Sequence, residues 1–125
     1  MTEHFLNYDQ SLVVKELGFN EPCLAYWNID PYLPKPTFNL VKPFDHEWCV
    51  PAPLKQQVFR WFRDKKLADG SVCRHGKADG GYSYRWDIVY EYGVYEERHF
   101  KQDYKTYEEA EDACIDKIIK LIKKH

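Results

Sequence analysis

By type, His46, Cys49, Cys73 and His75 are the residues of this chain best suited to hold a metal. They form two short pairs, His46-x-x-Cys49 and Cys73-x-His75, and two thiolates with two imidazoles make a good donor set for zinc. The spacings match no zinc-finger pattern, and the pairs fall on different predicted elements, so no metal is assigned. Nucleophilic chemistry has less to draw on. The chain lacks a G-x-S-x-G elbow, a P-loop and an H-E-x-x-H motif, and its histidines are scattered at positions 4, 46, 75, 99 and 125. The glycine-rich stretch from His75 to Gly81 follows a predicted strand and does not open a helix, so it reads as a hairpin loop and not as a phosphate cradle. The expectation is a protein with no catalytic residue, cofactor or metal, and hence no enzyme.

Binding chemistry has two candidate sources. From Lys55 to Lys77 the chain carries seven basic residues against two acidic ones. Lys55, Arg60, Arg63 and Lys66 are expected on the solvent side of a helix, with Arg74 and Lys77 in the strand and turn after it, and such a patch could contact phosphates. The second source is a ladder of Tyr82, Tyr84, Trp86, Ile88 and Tyr90 at alternate positions, with Ser83, Arg85, Asp87 and Val89 between. Period two puts all five on one face of a β-strand. That face is either half of a core or a platform on which bases or a partner could stack. Amphipathic helices on either side of it in sequence favour the core, which leaves its ends, Tyr82 beside the glycine turn and Tyr90 beside Tyr92-Gly93, as candidate contacts.

Composition narrows the classes further. At 125 residues the chain is expected to form one domain, 1–125, with a core it can bury unaided. Eighteen basic and twenty acidic residues leave a net charge of −2, so no global field draws the chain to nucleic acid or anionic lipid. No apolar run reaches membrane-spanning length and no export signal opens the chain, which points to a cytoplasmic location without membrane contact. Cys23, Cys49, Cys73 and Cys114 form no C-x-x-C pair and read as free thiols.

The elements that must position these residues are marked by caps and periodicity. A first helix spans Tyr8 to Leu17, with Asn7 as N-cap, Gly18 as the left-handed residue after it and Phe19 closing the cap. A strand from Cys23 to Ile29 is followed by Asp30-Pro31-Tyr32-Leu33-Pro34-Lys35-Pro36, expected to be an extended loop. Another strand covers Thr37 to Val41, and Trp48 to Val50 is a short apolar piece. Pro51-Ala52-Pro53 opens the second helix, whose inner face is Leu54, Val58, Trp61, Phe62 and the stem of Lys65, and Ala68-Asp69-Gly70 ends it. Strands follow over Ser71 to His75, Tyr82 to Glu91 and Val94 to Lys101. The last helix starts at a Thr106-x-x-Glu109 capping box and buries Ala110, Ala113, Cys114, Ile118, Leu121 and Ile122. The order is α-β-β-α-β-β-β-α, an α+β fold with an antiparallel sheet and its helices mainly on one face.

From Pro53 onward the order α-β-β-β-α (a 53–125 core) is similar to that of double-stranded-RNA-binding domains. Those domains grip phosphate with lysines at the start of the last helix. Here that place reads Thr106-Tyr107-Glu108-Glu109-Ala110-Glu111-Asp112, which would repel phosphate, so the resemblance implies similar packing and not that mode of binding. A second resemblance spans most of the chain. The segments Lys15-Glu16-Leu17-Gly18-Phe19-Asn20-Glu21-Pro22-Cys23, Ala52-Pro53-Leu54-Lys55-Gln56-Gln57-Val58-Phe59-Arg60-Trp61-Phe62-Arg63 and Thr106-Tyr107-Glu108-Glu109-Ala110-Glu111-Asp112-Ala113-Cys114 resemble a family of short proteins from gut Bacteroidales and their bacteriophages. That resemblance brings no activity with it. It implies a phage or mobile-element accessory factor acting in a bacterial cytoplasm. The expected function is non-enzymatic binding of a host protein, with self-association as a homo-oligomer also open. The alternative is a nucleic-acid-binding module using the basic face of helix 53–66 and exposed aromatics. The candidate binding residues are Lys55, Arg60, Arg63, Lys66, Arg74, Lys77, Tyr82, Tyr90 and Tyr92.

Overall fold

Asn7 and Gly18 bound the first helix as their chemistry requires. In the computed structural model, which describes residues 2–40, 48–74, 81–89, 95–99 and 104–124, α1 runs Tyr8–Glu16. Asn7 accepts a hydrogen bond from the Gln10 amide at 2.8 Å, and the Gln10 side chain accepts one from the Asn7 amide at 3.1 Å, a complete capping box. Gly18 has φ +106°, and the amides of Gly18 and Phe19 donate to the carbonyls of Lys15 and Val14, both at 3.1 Å. This is the Schellman pattern, and buried Phe19 supplies its hydrophobic contact.

The chain forms two compact units, residues 1–57 and 58–125. In the first, β1 (Ala25–Asn28) lies between β2 (Thr37–Asn39) and β3 (Cys49–Ala52), with both pairings antiparallel. A short 3-10 turn, Thr2–His4, precedes Phe5, which bridges Leu54. Phe5, Ala25 and Ala52 make the buried centre, with Trp27, Phe38 and Leu54 packed around it. The Phe5 and Phe38 rings stand 5.1 Å apart, Phe38 and Trp27 5.4 Å, and the Trp27 indole donates to the Leu6 carbonyl at 2.9 Å. Its hydrogen bond is what lets a polar-tipped ring sit in this core.

In the second unit β4 (Ala68–Arg74), β5 (Tyr82–Val89) and β6 (Tyr95–His99) pair antiparallel in that order. α3 (Tyr107–Lys124) packs on β4 and β5, its first turn capped by Thr106 Oγ1, which accepts from the Glu109 amide at 3.1 Å. Tyr84, Trp86 and Ile88 are buried on the face toward the helix, and Val58, Phe59, Trp61 and Phe62 of α2 (Lys55–Lys66) are buried as well. On the reverse face Asp69 and Ser71 are exposed, the alternation of an antiparallel sheet with one side covered.

The α+β class and the antiparallel pairing agree with the sequence reading, and the element order does so roughly, with one strand more than expected, β3, before the second helix. Pairing is divided between two three-stranded sheets. Pro51, expected to help open the second helix, is a β3 residue opposite Tyr26, as an edge strand permits. The second helix ends at Lys66, and Leu67, with φ +54°, takes the left-handed position that breaks it. Gly70 is consequently a strand residue and not a helix stop. On α3 the buried set is Ala110, Glu111, Cys114, Ile115, Ile118 and Ile119, with Ala113, Leu121 and Ile122 only half-buried. The buried face is thus turned toward the 111-115-119 row.

Candidate functional site

The sequence-derived basic patch is only partly available. Lys55 is buried, at 2% exposure, because the helix starts directly after Leu54, whose backbone bridges Phe5. Lys55 thus lies within the packing while Gln56 after it is exposed, which corrects the expectation of a solvent-facing lysine. Arg60 and Arg63 are exposed, and Arg63 pairs with Asp69 at 3.5 Å. The ammonium of Lys66 sits 5.5 Å from the Trp61 ring centre, a cation–π contact. The structure brings two of the candidates together: Arg74 and Tyr82 are cross-strand partners at the end of the β4–β5 ladder. Tyr82 is half-buried, exchanges backbone hydrogen bonds with Tyr104 at 2.7 and 2.8 Å, and packs edge-on against Tyr107. Lys77, Tyr90 and Tyr92 lie outside the described residues, as do His46 and His75 of the metal candidates. Cys49 belongs to the first unit and Cys73 to the second, and no group of three or more His, Cys, Asp or Glu side chains gathers among the described residues.

The rest of the ladder is core. Tyr84 and Trp86 are each 4% exposed, so neither offers a face for stacking. Burial pushes the Tyr84 phenol up to about 12, with neighbouring Tyr104 adding to the shift. The Cys114 thiol is pushed up to about 12 by the same cause, and its sulfur donates to the Arg85 carbonyl at 3.5 Å. A thiol held neutral this firmly is a poor nucleophile.

The reverse face of β4 and β5 carries a shallow open depression lined by Asp69, Gly70, Ser71, Arg85 and Asp87. Asp69 and Asp87 are direct cross-strand neighbours. One Asp87 carboxylate oxygen is buried and receives no hydrogen bond from a described residue.

A different feature stands out at one end of the first sheet. The register pairs Asn28 at the end of β1 with Thr37 at the start of β2 and with Cys49 at the start of β3. The loop after β1 and the residue before β3 therefore emerge at the same end, and the Ile29 amide donates to the Trp48 carbonyl at 2.6 Å. Asp30 then organises a turn. Its side chain accepts from the Tyr32 amide at 2.9 Å and its carbonyl from the Leu33 amide at 3.0 Å. Aspartate first and proline second is the favoured chemistry of a type I turn with an Asx bond. Tyr32 is 89% exposed, Leu33 51% and Trp48 41%, so this end of the sheet presents two aromatics and a leucine to solvent. The stretch from Asp30 to Pro36, expected to be extended, opens instead with this turn. The Asp30-Pro31 dipeptide is the local signal for a turn that has its third residue at the tip.

The chain matches no family model, no curated protein and no solved structure. Among the described residues no helix is long and apolar enough to cross a membrane.

Proposed function

We propose that this chain is a small non-enzymatic binding protein that engages a protein partner through the end of its first sheet bearing Tyr32, Leu33 and Trp48. The observation that carries this reading is the exposure of three large apolar side chains at one end of a hydrogen-bonded framework. Each aromatic ring brings about 150–250 Å² of surface that water hydrates poorly. Tyrosine and tryptophan are also the residues on which protein–protein binding energy concentrates. The resemblance to Bacteroidales and phage proteins supplies a setting, an accessory factor engaging a host protein in a bacterial cytoplasm. A nucleic-acid-binding module is the second reading, favoured by exposed Arg60 and Arg63 on α2. The two separate in one experiment. The tagged chain is expected to retain a discrete protein from host lysate, with retention lost in Tyr32→Ser/Trp48→Ser and kept in Arg60→Glu/Arg63→Glu. Retention of nucleic acid that falls steeply with salt and is lost in the arginine variant would overturn it in favour of the second reading.

A further inference from the structure

We infer that the reverse face of the β4–β5–β6 sheet is a self-complementary surface on which a second copy of this chain docks face to face. It lies wholly in the second unit, so it stands apart from the partner-binding reading of the first sheet. The register divides the middle of this face into two rows. One runs Asp69, Asp87, Glu97 across β4, β5 and β6, and the next row on that face runs Ser71, Arg85, His99. Every strand therefore gives an acidic residue to the first row and a residue able to donate a hydrogen bond to the second. The rows are about 7 Å apart along the strands, two residues of rise. Acidic residues directly opposite one another destabilise a sheet unless something answers their charge.

Within the chain that answer is incomplete. Asp69 pairs through Oδ1 with Arg63 of α2 at 3.5 Å. Asp87 is half-buried, one of its oxygens is shut off from water, and it makes no hydrogen bond or ion pair with a described residue. A two-fold axis lying across the strands, midway between the rows, sets each row of one copy over the other row of the second. β5 then lies antiparallel over β5 of the second copy, so that Asp87 meets Arg85 twice, once in each direction. On β4 the Ser71 hydroxyl is likewise set to donate to the Asp69 carboxylate of the second copy. Asp69 and Ser71 are exposed and the depression is shallow and open, so a second sheet can approach to the usual spacing of about 10 Å with its strands nearly aligned. Stacking like row on like row would instead set carboxylate on carboxylate, so the pattern selects one arrangement. A metal ion would use the acidic row alone and would be repelled by Arg85 beside it. A second copy uses both rows.

The test is sedimentation equilibrium of the full chain over a concentration series, with circular dichroism to show that each variant is folded. The wild-type chain is expected to show a reversible monomer–dimer equilibrium that weakens as salt is raised. Asp87→Arg sets positive groups in both rows and Arg85→Asp sets negative groups in both. Each alone is expected to associate at least about 10-fold more weakly. An equimolar mixture of the two is expected to recover dimers, because rows of opposite charge then meet. The exchange Asp87→Arg/Arg85→Asp is expected to dimerise within about 3-fold of wild type. Where a reversed charge prevents folding, Asp87→Asn keeps the size, loses the charge and is expected to weaken the dimer about 3-fold. A wild-type chain that stays monomeric throughout would overturn the proposal. A dimer that no Asp87 variant weakens would overturn it in favour of another self-association surface. Folded single variants that stay apart when mixed would overturn the pairing of rows. Calcium binding by a monomeric wild-type chain, lost in Asp87→Asn, would overturn it in favour of a cation site.

Discussion

Ile118 of α3 occupies the space that a side chain at Gly70 of β4 would need. A Cβ placed on Gly70 would stand 2.6 Å from Ile118 Cδ1, 2.8 Å from Cys114 Sγ and 2.9 Å from Phe59 Cε1. The glycine is there for close approach, since among the described residues Gly18 is the glycine with positive φ. Without a Cβ at 70, the helix settles onto the sheet far enough for the Cys114 sulfur to reach the Arg85 carbonyl.

Gly70→Ala should therefore destabilise the protein by about 1–3 kcal/mol, the range for overpacking a filled core. Urea denaturation of the single variant and of Gly70→Ala/Ile118→Val separates crowding from a strand effect. Removing the Ile118 δ-methyl should recover part of the loss, so that the two changes cost less together than their sum. Strict additivity would place the defect elsewhere than at this contact.

Trp86 is directly opposite Gly70 in the β4–β5 register and is 4% exposed, with the Lys117 ammonium 5.8 Å from its ring centre. Trp86→Ala should cost about 3–5 kcal/mol, as expected for an indole removed from a packed interior. A loss below about 1 kcal/mol in thermal or urea unfolding would mean the ring is not the core residue its burial indicates.

How far the sequence discloses all this depends on the range of the interaction. The caps of α1 and α3 were legible because each is a contact between residues three to five apart, in Asn7–Gln10, Lys15–Gly18, Val14–Phe19 and Thr106–Glu109. The alternation of Tyr84, Trp86 and Ile88 was legible because burial of one sheet face writes period two into the chain. What a long-range partner decides stayed hidden. Gly70 looks like a helix stop until Ile118 and Cys114 are seen above it, and Lys55 looks solvent-facing until Phe5 is seen beside Leu54. At the candidate site the turn was encoded locally by Asp30-Pro31. Its neighbour Trp48 came to the same end only through the pairing of β1 with β3.

Leu67 holds φ +54° at the junction of α2 and β4 and is 58% exposed. A left-handed backbone costs a residue with a Cβ roughly 1–2 kcal/mol, which glycine escapes at the expense of some extra unfolded-state entropy. With so much of its side chain in water, Leu67 gives back little in packing. Leu67→Gly should raise stability by up to about 1 kcal/mol, read as a higher urea midpoint with an unchanged slope. A lower midpoint would show that the leucine side chain contributes more to the fold than its exposure suggests.

The four thiols should react in an order set by burial. Cys73 is half-buried, and Cys23 is half-buried with its thiol pushed up to about 11 by burial, reinforced by the Glu21 charge. Cys49 and Cys114 are buried. Treatment with an aromatic disulfide reagent at pH 8 should modify Cys73 first, Cys23 more slowly, and Cys49 and Cys114 only after denaturant opens the core. Mass mapping that finds Cys114 modified in the native protein at the rate of Cys73 would contradict the close seating of α3 on β4.

The same burial makes stability depend on alkaline pH. Tyr84 and Cys114 are pushed up to about 12 in the folded protein, above their ordinary values of 10 and 9, because burial penalises the charged forms. A group whose pKa is raised on folding binds its proton more tightly in the native state, so it contributes fully below the unfolded pKa and loses that contribution as pH rises through the folded one. The urea midpoint should thus be unaffected by these two groups below about pH 9 and fall progressively between about 9 and 12. Tyr84→Phe keeps the ring and removes the ionisation, so the fall above pH 10 should become shallower in that variant. If the two profiles run parallel through this window, the phenol is not titrating from within the core.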